Sequence, residues 1–515
     1  MLSKVNSVLM HGIDAVPVTI ETDISRGMPV FNVVGQANSA VKEAKERIRA
    51  ALINSGRIYP AGRITVNMAP ANLRKCGSHL DLAMAAGVLL SSGQILGENI
   101  HSYCFIGEIS LDGSVSEVAG ILPAVSAMKA SGIRKMVIPY NNRKEASLIR
   151  GIEIYAVKSL SQLIDHFNRV QLIEPFRPSD SSCVLKGRTK KNRTDYAVDY
   201  KDVKGQEYAK RAVTVAVAGG HGILMTGSPA TGKTMIAERL PTIMPEMTYD
   251  EIVETTKIYS AVGLLDEKEP VILQRPFRSV YDKITRAGLI GGGSRPKPGE
   301  ITLASGGVLF LDEIGEFDRN TVDALRVPME KKKVVLVRNG ETYVFPADFL
   351  IVAATNPCKC GYYGDPDIDC KCTAGEVERY QGRLSGPILD RFDIHIMLER
   401  ISYEMLSDQS SCLSSAEMRE MVRQARKIQK KRFEGSGITL NAQMNDRQTD
   451  RVVFLDKECE KILETAYDRL GLNPRTVART KKIARTIADI EGCENVCAEH
   501  VCEALGFRRR QLMTR

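Results

Sequence analysis

Gly222-Ile-Leu-Met-Thr-Gly227-Ser-Pro-Ala-Thr-Gly232-Lys233-Thr234 is the stretch on which the fold turns. Gly222 to Thr226 is a short apolar run of buried-strand type, and a helical pattern follows through Leu240. Between them Gly227, Ser228, Pro229, Ala230, Thr231, Gly232, Lys233 and Thr234 have the spacing of a phosphate-binding loop. Each part has a chemical reason. Glycines let backbone N–H groups wrap phosphate oxygens, and the helix N-terminus adds positive potential. Lys233 reaches the β- and γ-phosphates, and the Thr234 hydroxyl ligates magnesium. ATP and Mg²⁺ are the cofactors implied. A chance glycine-rich turn between strand and helix is the plain alternative.

Two later runs bear on that alternative. Gly307-Val-Leu-Phe-Leu-Asp312-Glu313 is an apolar strand ending in two carboxylates. Such a strand delivers Asp312 beside the magnesium and Glu313 where it can polarise the attacking water. Phe349-Leu-Ile-Val-Ala-Ala-Thr-Asn356 is a further buried strand, whose terminal amide can hold that water against the γ-phosphate. Alone, an Asn in this place is a turn residue; as the third strand in this order it reads as a sensor.

Leu384-Ser-Gly-Pro-Ile-Leu-Asp390-Arg391-Phe392-Asp393 comes next. The order of these four motifs resembles AAA+ ATPases of the magnesium-chelatase and replicative-helicase branch. The resemblance implies that Arg391 is an arginine finger acting in trans on a neighbour's γ-phosphate, with about 10³ to 10⁵ in rate at stake. A surface salt bridge to Asp390 or Asp393 is the alternative. Beyond, Asn473-Pro474 supplies an N-cap and a first-turn proline for a helix running to Ile490. Arg475, Arg479 and Lys482 fall on one stripe of it, while Ile483 and Ile487 face a core. The family pattern implies that Arg475 folds back on the nucleotide as sensor 2; a solvated basic stripe is the bland reading.

Cys358-Lys-Cys360 and Cys370-Lys-Cys372, nine residues apart, offer four thiolates on one loop. Four soft ligands suit a tetrahedral zinc ion, and a closed set leaves no open position, so its role would be structural. Free thiols or an adventitious disulfide are the alternative. Lys333-Val-Val-Leu-Val-Arg338 and Glu341-Thr-Tyr-Val-Phe345 flank Asn339-Gly340, the strongest short hairpin signal. In this AAA+ branch a hairpin so placed points into a central pore. Lys331, Lys332, Lys333 and Arg338 are then candidates for contact with DNA phosphates, against an ordinary solvent-facing hairpin.

Over nearly the whole chain the sequence resembles the ComM/YifB family of magnesium-chelatase-like bacterial proteins. The signatures are Val34-Gly-Gln-Ala-Asn-Ser-Ala-Val-Lys-Glu43, Arg275-Pro-Phe-Arg278, Gly291-Gly-Gly-Ser-Arg-Pro-Lys-Pro-Gly-Glu300, Asn356-Pro-Cys-Lys-Cys-Gly361, the Ser385-Gly-Pro turn and Ala484-Arg-Thr-Ile-Ala-Asp489. The chain departs from the family in Ser279 to Asp282, where a small residue, a proline and two histidines are usual. It departs again in Lys331 to Lys333, where an acidic residue and glycine are usual. The resemblance implies a homo-oligomeric, hexameric ring motor that hydrolyses ATP and remodels branched or single-stranded DNA, as in helicase-driven branch migration. A related ring that remodels a protein partner is the rival.

The rest of the chain is consistent with this. Its 515 residues allow two or three domains, and 43% hydrophobic with 26% charged residues is ordinary for a soluble protein. A net charge of +9 is a mild bias toward polyanions. Met1 to Val16 lacks an apolar core of signal-peptide length, and Leu80 to Leu90 is broken by Asp81 and too short to cross a bilayer. A cytoplasmic protein without membrane contact is expected, and its twelve cysteines form no disulfide framework.

The fold class is α/β: a P-loop AAA+ core over 202–400 with the cysteine loop at 358–372, a helical lid over 401–515, and a Lon-protease-like α/β domain over 1–170. Residues 171–201 read as a polar surface linker whose basic run, Lys186 to Arg193, is a tether or a nucleic-acid contact. Lys75-Cys-Gly-Ser-His79 resembles the nucleophile loop of Lon-type proteases, and Gly107 to Val115 a following segment. His79 stands at the serine position and Leu122 at the lysine position, with Ser78 one residue off. A Ser–Lys dyad needs both partners, so this domain is expected not to be proteolytic.

Overall fold

Alternating apolar and polar residues make Leu2–His11 (β1) and Asp14–Ser25 (β2) a two-faced ribbon, paired antiparallel from Leu2↔Asp23 to His11↔Asp14. A computed structural model of the chain describes residues 2–34, 39–70, 77–177, 196–266, 268–294, 296–403, 405 and 412–508. Strands β3 (Val30–Val34), β4 (Arg63–Ala69) and β5 (Tyr103–Phe105) add to the ribbon. A small ribbon of β6 (Glu108–Ile109) and β7 (Val115–Ser116) stands apart, and β8 (Lys135–Pro139) and β9 (Glu153–Val157) complete a seven-stranded sheet of order β3-β4-β2-β1-β5-β8-β9. Helices Ser39–Asn54 and Asp81–Ser91 supply residues to one core cluster against this sheet, and Ile121–Ala130 to another.

The expected linker is not surface throughout. Residues 178–195, with the basic run Lys186 to Arg193, lie outside the described residues. On the near side, Phe176 N–H donates to Ile154 O at 2.7 Å. On the far side, Tyr200 is fully buried and its hydroxyl donates to Ile236 O at 2.7 Å. The polar composition of the stretch hid an anchor, because one aromatic ring suffices to dock a segment.

Next come β10 (Ile223–Gly227), β11 (Phe277–Val280), the short ribbon β12 (Gly291–Gly292) with β13 (Lys297–Pro298), and β14 (Val308–Leu311). The hairpin β15 (Lys333–Arg338) and β16 (Glu341–Pro346), then β17 (Leu350–Thr355) and β18 (Ile394–Leu398), follow. Five of these form a parallel sheet of order β11-β14-β17-β10-β18. Every residue of β10, β14 and β17 is buried, which is why each reads as an unbroken apolar run: a parallel sheet is covered on both faces. Ile223 and Met225 join the cluster on one face and Leu224 that on the other. Gly307 is required before β14, since a Cβ there would stand 1.9 Å from Pro276 O.

Two of the sequence signatures meet here. Arg278 makes a two-pronged ion pair with Glu300 at 2.5 and 2.8 Å, and buried Arg275 donates to Pro245 O and Gly306 O. Ser279 to Asp282, the departing segment, ends edge strand β11 and leaves Tyr281 exposed.

The C-terminal part is helical: Ser415–Arg432, Asp446–Val452, Lys457–Leu470, Pro474–Glu491 and Ala498–Gly506. Asn473 caps the fourth as its sequence predicts, accepting from Thr476 N–H at 2.8 Å. The fifth opens on a cap in which Cys497 N–H donates to His500 Nδ1 at 3.1 Å. Ile483 and Ile487 are fully buried in the cluster that holds Ile223 and Met225, so these helices pack directly on the sheet.

The N-terminal unit is bolted to the central one. Ile13, at the β1–β2 turn, sits in the same cluster as Phe345 of β16. Gly120 N–H donates to Ser260 O at 2.9 Å, the Ser260 hydroxyl to buried Glu145, and Lys257 pairs with Asp14.

Candidate active site

The turn after β10 brings the predicted groups together. Lys233 donates to Gly227 O at 2.7 Å, to Ser228 O at 2.9 Å and to Asn356 Oδ1 at 3.1 Å. Its three protons therefore join the loop to the end of β17. Thr234 Oγ1 donates to Asp312 Oδ2 at 3.2 Å, so a hydroxyl and a carboxylate oxygen stand together as hard donors that suit magnesium. Ala230 (φ +63°) and Gly232 (φ +89°) turn the backbone, and a Cβ on Gly232 would meet nothing within 4 Å. That open face is where a phosphate can approach. Glu313 follows Asp312 in the left-handed region at φ +53° and is exposed. A glutamate held there costs of order 1–3 kcal/mol and is found where function demands it.

Burial lowers the Lys233 ammonium to about 8, although the charges of Asp312 and Glu313 oppose the shift. A bound phosphate favours the ammonium, so binding above pH 8 takes up a proton. Affinity for a fluorescent ATP analogue is therefore expected to fall as pH rises through that value, and to be about tenfold weaker at pH 9 than at pH 7. An affinity that stays flat to pH 9 would contradict this.

Arg391 is placed elsewhere. In the parallel register Ile394 of β18 is level with Ile223 and Leu398 with Gly227. Arg391 precedes β18, so it lies at the edge of the sheet opposite the turn, at least about 13 Å away at the rise of a strand. That is beyond the reach of an arginine side chain. Its guanidinium pairs with Glu330 and donates to Pro387 O at 3.5 Å, while Nε is buried with no partner among the described residues. Glu330 escaped the sequence reading, which considered only Asp390 and Asp393.

The basic stripe of helix Pro474–Glu491 divides. Arg475 is exposed and makes no hydrogen bond or ion pair among the described residues. Arg479 pairs with Asp393 at 3.3 Å, and Lys482 donates to Met444 O and Ala442 O. Asp393 is held down to about 2: burial opposes ionisation, but the His221 hydrogen bond and the charges of His221, Arg479 and Arg508 outweigh it. His221 bonds Asp393 at 3.0 Å and Thr486 at 2.9 Å, linking the start of β10 to the last helices.

The four loop cysteines converge, with all sulfurs within 4.8 Å of one another and Cys358–Cys360, Cys360–Cys370 and Cys358–Cys370 at 3.3, 3.5 and 3.7 Å. Tetrahedral zinc–thiolate geometry puts sulfurs about 3.8 Å apart, so the donor set and its spacing fit zinc.

On the hairpin, Asn339 (φ +52°) and Gly340 (φ +79°) form the expected tight turn. Lys331, Lys332, Lys333 and Arg338 are all exposed, but Lys332 is engaged by Asp348 at 3.0 Å. One face of the hairpin is not free: Tyr343 stacks on His11 at 4.3 Å, and Val334 and Phe345 are buried. The other face exposes Val335, Val337 and Val344. In the N-terminal unit Lys75 and Cys76 lie outside the described residues, as do residues 35–38 of the first signature. Ser78 donates to Glu108, His79 is buried against Val8 O at 3.1 Å, and Leu122 is fully buried. No lysine bonds the Ser78 hydroxyl among the described residues.

Comparison with known proteins adds a separate line. Residues 199–406 match the family described as magnesium chelatase, subunit ChlI; residues 20–142 match subunit ChlI of Mg-chelatase, and residues 413–508 its C-terminal part. Competence protein ComM of Haemophilus influenzae is 39% identical over 514 residues, covering 98% of this chain and 97% of its own. YifB of Escherichia coli is 37% identical over 510 residues, with 98% and 97% covered. Lon protease 2 of Bacillus subtilis is 34% identical over 128 residues, 25% of this chain and 23% of its own. Among the described residues no helix is long and apolar enough to cross a membrane.

Proposed function

From a chain that belongs to the ComM/YifB family of magnesium-chelatase-like AAA+ proteins, we propose an ATP-hydrolysing ring motor that works on single-stranded or branched DNA. One observation carries the reading. The phosphate loop, with Lys233, Thr234, Asp312, Glu313 and Asn356, gathers at one edge of the sheet while Arg391 stands at the other. A catalytic site that needs both is completed only by a second subunit, which makes a closed ring the economical assembly. Thr234 and Asp312 would hold magnesium, which when bound neutralises phosphate charge. Lys233 exchanges its loop carbonyls for phosphate oxygens, Asn356 orients water, and Glu313 accepts its proton. Zinc on Cys358, Cys360, Cys370 and Cys372 is structural. Arg475, exposed at the first turn of its helix, is free to act as sensor 2.

For DNA the contacts are Lys333 and Arg338, exposed at the two ends of β15, with Lys331 beside them. Phosphate contacts are sequence-blind and release counterions. ATP turnover is expected to rise with single-stranded or four-way-junction DNA and to lose that stimulation as salt increases. Changing Lys333 and Arg338 together to Ala is expected to reduce the slope of log affinity against log salt by about 1.4 for single strands. Lys332→Ala, already paired with Asp348, is expected to change it less. The exposed valines of the same hairpin favour a second reading, a motor on a protein partner. Intact basal turnover without any DNA response would support that second reading against the first.

A further inference from the structure

The cysteine loop is built against the phosphate loop. It leaves β17 through Asn356, which bonds Lys233, and returns past Ser228 and Pro229. Gly361, at φ +91°, lies so near Pro229 that a Cβ would stand 2.7 and 2.8 Å from its ring carbons. Asp365 has a side chain only 1% exposed and accepts from the N–H groups of Asp367 and Ile368 at 3.0 and 3.1 Å. The Ser228 side chain lies near enough to the same carboxylate to help hold it below the usual carboxylate range, and Arg400, just beyond β18, pairs with it at 3.5 Å. Gln381 fastens the start of the loop at Pro357 O, 3.0 Å. Between β17 and helix Ala374–Gln381 the loop has no strand or helix of its own. From Tyr362 to Thr373 every residue is exposed or half-buried, and the loop closes on the sulfur cluster.

We propose that this loop, closed by its metal, braces the phosphate loop through Gly361 and Asp365 as positioning residues, so that occupancy of the cysteine cluster sets the affinity for ATP. The proposal rests on reading the four cysteines as zinc ligands and residues 227–234 as the ATP cradle. Without the metal the loop loses what fixes Gly361 on Pro229, and the carbonyls and N–H groups of 227–229 are no longer pre-organised.

The test uses the full-length chain and two readouts, zinc content and the dissociation constant of a fluorescent ATP analogue. Removing zinc with a thiol-reactive mercurial, followed by reduction under a chelator, is expected to weaken the analogue about tenfold or more, with recovery on adding Zn²⁺. Asp365→Ala is expected to keep its zinc and weaken the analogue similarly, raising KM while kcat at saturating ATP stays within about twofold. Asp365→Asn, whose amide oxygen still accepts from the two backbone N–H groups, is expected to recover most of the affinity. Zinc removal or Asp365→Ala that changes affinity less than twofold overturns the proposal alone. A chain that neither carries nor takes up zinc overturns it together with the zinc reading, and a parent chain that does not bind the analogue overturns the ATP reading itself.

Discussion

Arg391→Ala is expected to lower ATP turnover by about 10³-fold or more while leaving affinity for an ATP analogue within about twofold. The parallel register puts Arg391 at the end of the sheet away from its own phosphate loop, so removing it takes nothing from nucleotide contacts within the chain. The guanidinium is held by Glu330, an exchangeable acid, and its buried Nε lacks a partner among the described residues. A neighbour's γ-phosphate offers more acceptors than Glu330 does, and charge that develops on it is what a finger stabilises. Mixing separates this from a structural role. Arg391→Ala contributes a sound loop and Lys233→Ala a sound finger, so equal amounts, each inactive alone, are expected to recover roughly a quarter of parental turnover in a randomly mixed ring. A residue acting within its own chain could not be complemented. No recovery on mixing, with assembly intact by light scattering, would sink the shared-site reading.

What the sequence made legible were features set by near neighbours. Unbroken apolar runs marked β10, β14 and β17 because a parallel sheet leaves no polar face. Asn339-Gly340 marked the hairpin because few residues accept two left-handed positions in a row, and Asn473-Pro474 marked a helix start by its cap. Spacing also grouped Lys233, Asp312 and Asn356, which the fold does join.

Contacts across the fold were not legible. Nothing near Arg391 in sequence names Glu330, 61 residues earlier, as its partner. Nothing near His11 names Tyr343, on which the hairpin leans. The stripe of Arg475, Arg479 and Lys482 was visible, but which of them reaches Asp393 depends on how the helix docks, and it is Arg479. Tyr380 was also missed: buried beneath the site with its hydroxyl unpartnered among the described residues, it is pushed up to about 12, first by burial and then by the charges of Glu316 and Glu313. Only an aromatic residue in an otherwise polar helical stretch hinted at it.

Glu313→Gln is expected to bind the ATP analogue as well as or better than the parent and to turn it over about 10² to 10⁴ times more slowly. The carboxylate lies near enough to Lys233 to raise its proton affinity, so it shares the site, yet the side chain is exposed and makes no hydrogen bond among the described residues. Gln keeps its shape and the left-handed backbone while losing the base. Removing one negative charge beside the phosphates also eases their approach, which is why affinity should hold or improve. Asp312→Asn serves as the contrast, because its carboxylate accepts from Thr234 and belongs with the magnesium donors; its loss is expected to weaken magnesium-dependent binding as well as turnover. Single-turnover hydrolysis with the analogue pre-bound tells the two apart. If Glu313→Gln lost binding in step with turnover, Glu313 would belong to the nucleotide cradle and the base would have to be sought elsewhere. If the rate were unchanged, the strained backbone at φ +53° would need another explanation. A slow chemical step behind unimpaired binding is what a proton acceptor at this place produces.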